Sequence, residues 1–295
     1  PGTPAGPERS ALASAAQEYP RAGSPRSRSR DRACHGSAEN GGSSRFSDEV
    51  SVPNRCVSPF LGVNSGGVYD EGVIKFAAEH QDRPLDPRRT GEVACELIAW
   101  REVMALTGLV GQEPGRYGGA GYGNVSARIG RRAAGLGNRS FRITGTQTSG
   151  KRCIGLADFA MIERYDYAAN RVWSHGVTQP SSESMTHGAI YDLGPHIRYV
   201  LHAHSPVLWR NAERLRLPTT APSVAYGTPE MAREVQRLYR GTVLPERPIL
   251  SMGGHEDGIV VFGRSVEEAG AVLVTWLARA YQLECGAADV NLCSW

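Results

Sequence analysis

The chain reads as an α/β protein, with a mixed sheet carrying helices on its faces, in one folded domain. Three observations predict this. Apolar stripes of helical period alternate with short runs rich in β-branched residues. Several of those runs follow one another at hairpin-like spacings, which favours a mixed sheet over a doubly wound parallel one. At 295 residues the chain is also long enough for a core that needs no covalent staples.

Residues 1–68 differ from the rest. They are rich in Ser, Gly, Pro and Arg, with Arg21-Ala-Gly-Ser-Pro-Arg-Ser-Arg-Ser-Arg30 at their centre. Such a composition buries too little apolar surface to offset its ordering entropy, so a disordered arm is expected. A transit peptide would also be rich in Arg and Ser, but Glu8, Glu18, Asp31 and Glu39 argue against one. The folded domain is expected over 69–295.

Within it, Thr90 to Thr107 predicts a helix. Val93, Leu97, Trp100 and Met104 fall on one stripe, and Gly108 follows as a stop. Gly118-Gly-Ala-Gly-Tyr-Gly123 predicts a flexible loop. The alternation in Asn124-Val-Ser-Ala-Arg-Ile129 predicts a strand, with Ser140-Phe-Arg-Ile-Thr144 as its hairpin partner. A helix is expected from Glu183, a strand over Tyr199-Val-Leu, and a helix from Pro229 with Met231, Val235 and Leu238 facing inward. Pro248–Met252 and Gly258–Phe262 read as short strands, and Val266 to Leu283 as a closing helix.

Bulk properties exclude several classes. The net charge is +3 with 21% charged residues, and part of the positive excess lies in the arm, so no nucleic-acid surface is indicated. No apolar run approaches the roughly 18 residues of a membrane span. The six cysteines show no C-x-x-C spacing and read as reduced thiols, which points to the cytoplasm. The glycine-rich segment contains G-x-G but precedes a strand rather than a helix, so it is no dinucleotide fingerprint.

The chemistry-bearing residues centre on His202 and His204. On a strand, residues i and i+2 point to the same face, so these two imidazoles project side by side as neighbouring metal ligands would. His255, after two glycines that permit close backbone approach, is a third candidate. Three imidazoles and one open position suit a catalytic zinc, whereas structural zinc sites are closed and usually hold thiolates. Glu183 follows Ser181 and Ser182 in the first turn of a helix. Either serine can be its N-cap, or the serine hydroxyls and free N–H groups can bind an anion while Glu183 acts as acid/base. Asn124, in a Gly-Asn turn, can add donors to the same anion. His187, four residues after Glu183, either orients that carboxylate or fills a packing layer. His35, His80, His175 and His196 read as ordinary structural residues.

Taken together, Gly123-Asn-Val-Ser126, Ile143-Thr-Gly-Thr146, Pro180-Ser-Ser-Glu183, His202-Ala-His204 and Gly254-His255 resemble, in order, the class II aldolase/adducin family. The resemblance runs from about Thr90 to Leu283, roughly two-thirds of the chain, and is to a divergent member of the fuculose-phosphate aldolase type. It implies an α/β/α sandwich around a mixed, largely antiparallel sheet, assembled as a homotetramer. His202, His204 and His255 would bind zinc or another divalent metal such as Fe2+, Co2+ or Mn2+. Glu183 would be the catalytic acid/base, its pKa raised toward neutrality by partial burial. Asn124, Ser181 and Ser182 would hold a substrate phosphate or carboxylate. The implied reaction is retro-aldol cleavage of a small polyhydroxy ketone, sugar phosphate or 2-oxo acid through a metal-stabilised enediolate. Dehydration or epimerisation would use the same site, and the adducin heads are non-catalytic interaction modules.

The chain departs from the family in three places. Gln147-Thr-Ser-Gly-Lys-Arg152 does not match the phosphate-loop glycine. The stretch from His204 to Tyr226 is short and omits the region carrying the aldolases' catalytic tyrosine. Tyr226 either replaces it or is a packed residue before a helix. Glu256-Asp257 follow His255 where the family goes directly to glycine, with the metal's surroundings, the substrate or solvent as their possible contacts.

Overall fold

Short-range chemistry sets the helix starts. Asp86 accepts a hydrogen bond from Arg88 N and Pro87 takes the first helical position, so the first long helix is Pro87–Leu106, three residues earlier than expected. It follows a strand at Ala77–Asp82 (β1) and is α1. The computed structural model describes Gly2, residues 72–131 and residues 133–287. The expected N-terminal arm, with Cys34 and Cys56, lies outside the described residues, as does Cys293. Cys95, Cys153 and Cys285 are free thiols.

After α1 come two short paired strands, Gly111–Gln112 (β2) and Gly121–Tyr122 (β3). The glycine-rich segment expected as a flexible loop is therefore partly paired. Strands Asn124–Arg128 (β4), Phe141–Thr144 (β5), Phe159–Asp166 (β6) and Arg171–Gly176 (β7) follow. Then come helix Ser184–Tyr191 (α2), strand Tyr199–His204 (β8), and helices Pro206–Arg210 (α3) and Pro229–Gly241 (α4). Strands Ile249–Ser251 (β9) and Gly258–Gly263 (β10) and helix Val266–Ala287 (α5) complete the order. These elements lie in one compact unit.

The main sheet runs β1-β7-β6-β5-β4-β8-β10-β9. Only the β1–β7 pair is parallel and every other neighbouring pair is antiparallel, so the sheet is mixed and largely antiparallel, as expected. Because side chains alternate across a strand, the sheet has two apolar faces. On one, Phe141, Ile143, Val200 and Val260 pack with Met185 and Ile190 of α2 and Val235 and Leu238 of α4. On the other, Val125, Leu201, Ile259 and Val261 pack with Leu97 and Met104 of α1 and Leu273 of α5. Three layers result, α/β/α.

Two further sequence features are explained by packing. Strand β6 carries a register shift between Ile162 and Arg164, which breaks the period-2 pattern that marks a strand in sequence. Gly270 stands in the interior of α5, where glycine is a poor helix former. A side chain there would collide with the indole of Trp100 on α1, so the glycine lets the two helices meet.

Candidate metal centre and its surroundings

Strand β8 sits in the middle of the sheet, hydrogen-bonded to β4 on one side and β10 on the other. Leu201 and Ala203 point to the α1/α5 face, so His202 and His204 share the opposite face with Val200. Their Nε2 atoms are 3.1 Å apart, and both rings are buried. His255 enters from the tight turn between β9 and β10, whose residue Gly258 pairs directly with His204. Side chains at Gly253 and Gly254 would strike the carbonyl oxygens of Thr220 and Val224, which is the close approach that the two glycines permit. One nitrogen from each of the three imidazoles lies within 4.8 Å of the others.

The donor set suits a divalent metal. Neutral imidazole is the ligating form, and burial holds the His204 imidazole well below its ordinary pKa, with the neighbouring His255 and His202 acting in the same direction. Three buried, converging nitrogen donors match the ligand chemistry of a catalytic rather than a structural site.

Glu183 comes to this cluster from the start of α2. It occupies the N-cap position itself, not the first turn, and its side chain makes no capping bond. Instead Oε1 lies 3.2 Å from His255 Nδ1 and 3.9 Å from His202 Nε2. Burial pushes the carboxyl up, but the facing imidazoles of His202 and His255 outweigh it in the metal-free protein. The result is a pKa of about 2. In the metal-free protein the direction is thus opposite to the expected rise toward neutrality, and the facing imidazoles are its cause.

The other expected residues are near the same helix start. Ser181 Oγ accepts a hydrogen bond from Glu183 N, and Ser181 and Ser182 are both buried. Asn124 is the register partner of His202 on β4, so it shares the histidine face, and its Oδ1 has no partner among the described residues. The 143–146 segment is joined to this turn by a bridge between Gly145 and Pro180 and by Thr146 N donating to Gln179 O.

His187 is buried on α2 with Nδ1 2.6 Å from Ser126 Oγ, which also lies 2.6 Å from the Tyr191 hydroxyl. Its backbone N–H donates to Glu183 O within the helix, while its ring packs with Ser126, so it fills a packing layer. Burial holds its imidazole down at about 3, so it is neutral. Tyr226 is a packed residue: its ring stacks on His255 at 4.5 Å, while its hydroxyl bonds the backbone of Val73.

Sequence reasoning missed the aromatic wall on the far side of His204. Tyr117 packs edge-on against that ring at 4.7 Å and Tyr122 lies at 5.5 Å. The Tyr117 hydroxyl donates to Asp257 Oδ2 at 2.6 Å and accepts from Arg116 Nη2 at 2.8 Å. Aromatic residues within the glycine-rich segment were the available signal. Asp257, one of the two extra acids after His255, is half-buried and contacts a tyrosine, whereas Glu256 is exposed.

Residues 115–283 match the family described as the class II aldolase and adducin N-terminal domain. No curated protein sequence matches the chain. Among solved structures, an L-fuculose 1-phosphate aldolase is 20% identical, over 69% of this chain and 89% of that one, with a TM-score of 0.49. The L-fuculose-1-phosphate aldolase of Thermus thermophilus is 19% identical, over 68% and 98%, with a TM-score of 0.48. A sugar-phosphate aldolase of Thermotoga maritima is 16% identical, over 70% and 98%, also at 0.48.

Proposed function

The chain belongs to the class II aldolase and adducin family, and on that premise we propose that it is a divalent-metal-dependent lyase. Its substrate is a small polyhydroxy ketone, sugar phosphate or 2-oxo acid, cleaved at a carbon–carbon bond by retro-aldol chemistry. One observation carries the reading: three buried imidazoles converge within 4.8 Å, with the Glu183 carboxylate 3.2 Å from one of them.

His202, His204 and His255 hold the metal. Nitrogen donors suit zinc, and Fe2+ or Co2+ nearly as well, with Mn2+ a further candidate. When bound, the ion supplies Lewis-acid stabilisation of the enediolate charge that develops as the bond breaks. Glu183, ionised in its buried position, takes up a substrate proton and returns it. Asn124, Ser181 and Ser182 bind and orient the anionic end of the substrate. The place of Asn124 on the histidine face and the serine hydroxyls at the start of α2 support that role. Burial of all these groups excludes water, which strengthens each polar contact.

Assembly as a homotetramer and a cytoplasmic location belong to the same proposal. No described helix is long and apolar enough to cross a membrane.

The test begins with metal content by mass spectrometry, expected to be one divalent ion per chain and to be lost in His204→Ala. Purified protein is then given a panel of ketose phosphates and oxo acids. Release of an aldehyde and a shorter ketone or oxo acid is the expected outcome. Absence of stoichiometric metal would sink the reading, and dehydrated or epimerised products would replace the lyase assignment.

A further inference from the structure

We infer that Tyr117 is a positioning residue of the metal centre, held by Asp257 and holding His204 in turn. The inference rests on the reading of the three histidines as metal ligands.

Three observations carry it. First, Tyr117 and Asp257 both adopt left-handed backbone conformations, with φ of 49° and 62°. Such conformations are uncommon for residues other than glycine and persist only where the surroundings over-determine them. These two strained residues, 140 positions apart, are joined to each other by the 2.6 Å hydrogen bond. Second, each is tied to a ligand. Asp257 lies two residues after His255, and its carbonyl accepts from Ser205 N, next to His204. The Tyr117 ring is 6% exposed and stands edge-on against His204 at 4.7 Å. Third, the tyrosine is itself braced. Arg116 donates to the hydroxyls of both Tyr117 and Tyr122, and Tyr122 donates to Glu113.

The geometry is that of an outer support. A ligating imidazole needs a fixed ring plane, and the groups that fix it contribute about 10- to 100-fold to metal affinity. Here the fixing group is an aromatic wall, and Asp257 sets where that wall stands. The hydrogen bond also ties the glycine-rich segment to the turn carrying His255, so the two sides of the triad are positioned together. This accounts for the acid at 257: it anchors Tyr117 rather than meeting substrate.

The experiment is a Co2+ titration of the full chain, followed by d–d absorption and by competition with a chelator. Tyr117→Phe keeps the ring and loses the hydroxyl. It is expected to weaken Co2+ about tenfold or more and to shift the absorption band. Asp257→Ala should do the same, the double variant should be no weaker than the worse single one, and Asp257→Asn should restore affinity because its amide oxygen accepts the same O–H. Tyr281→Phe, at an exposed site on α5, should change nothing. Far-UV circular dichroism checks that each variant is folded, and the Asp257→Ala and Asp257→Asn pair decides the matter if Tyr117→Phe is not. Binding within about twofold of the unaltered chain with an unchanged spectrum would overturn the inference alone. Failure of the unaltered chain to take up Co2+ in a manner that His204→Ala abolishes would overturn the metal reading, and this inference with it.

Discussion

Glu183 Oε1 lies 3.2 Å from His255 Nδ1 and 3.9 Å from His202 Nε2, so one buried carboxylate faces two of the three clustered imidazoles. A carboxylate in that position contributes charge as well as shape. Glu183→Gln keeps the size and removes the charge and the proton-carrying oxygen. With the three histidines untouched, metal content is expected to stay the same, while turnover falls at least about 100-fold, the usual scale for a lost acid/base group. Steady-state kinetics beside metal analysis would check this, and turnover within about twofold of the unaltered protein would remove Glu183 from the reaction.

Acid should destabilise the metal-free protein in two stages. Burial lowers the His187 pKa from its ordinary 6.5 to about 3, so between those values the unfolded chain binds more protons than the folded one. Stability therefore falls as pH drops through this window, by up to ~1.4 kcal/mol per pH unit. Glu183 is lowered from 4.5 to about 2, so its contribution is present above pH 4.5 and is lost on going down toward 2. Both groups act in the same direction. Urea unfolding at a series of pH values would check the sign. His187→Gln should flatten the dependence between pH 6.5 and 4.5, and an unchanged slope there would contradict the assignment to His187.

How much of this was legible in the sequence depends on how local the signal is. Strand β8 and its paired histidines show in a period of two, and α4 shows in Pro229 with Met231, Val235 and Leu238. Edge strand β1 has no such signal, since Ala77–Asp82 has only one residue that is not exposed. Strand β6 hides behind its register shift. At the site, the residue types were legible and their electrostatics were not. The pKa of Glu183 depends on His202 and His255, which only the folded chain brings beside it. The Tyr117–Asp257 bond likewise joins residues 140 positions apart, and no periodicity reports such a contact.

Ser126 should matter for stability rather than for metal binding. Its Oγ is shared at 2.6 Å by His187 Nδ1 and the Tyr191 hydroxyl, and all three side chains are buried between β4 and α2. Ser126→Ala leaves two buried polar groups without that partner. A group stranded in this way costs about 1–3 kcal/mol, so a loss of about 2 kcal/mol or more is expected in urea unfolding, with metal content unchanged. A loss below about 0.5 kcal/mol would mean that these groups find other partners.

Gly270→Ala opposes two effects whose signs are known. In a helix interior, alanine is favoured over glycine by about 1 kcal/mol, so an exposed site would gain stability. At this site the added methyl meets the Trp100 ring across the α1–α5 contact, and overpacking of this kind costs typically about 1–3 kcal/mol. The ring is broad and stiff, so it yields less readily than the end of a flexible chain would. The clash is therefore expected to win, and Gly270→Ala should lower the unfolding midpoint. Adding Trp100→Phe, which removes part of the colliding ring, should recover some of the loss and give non-additive energies in a double-mutant cycle. A stabilised Gly270→Ala protein would show that the helices can separate at little cost.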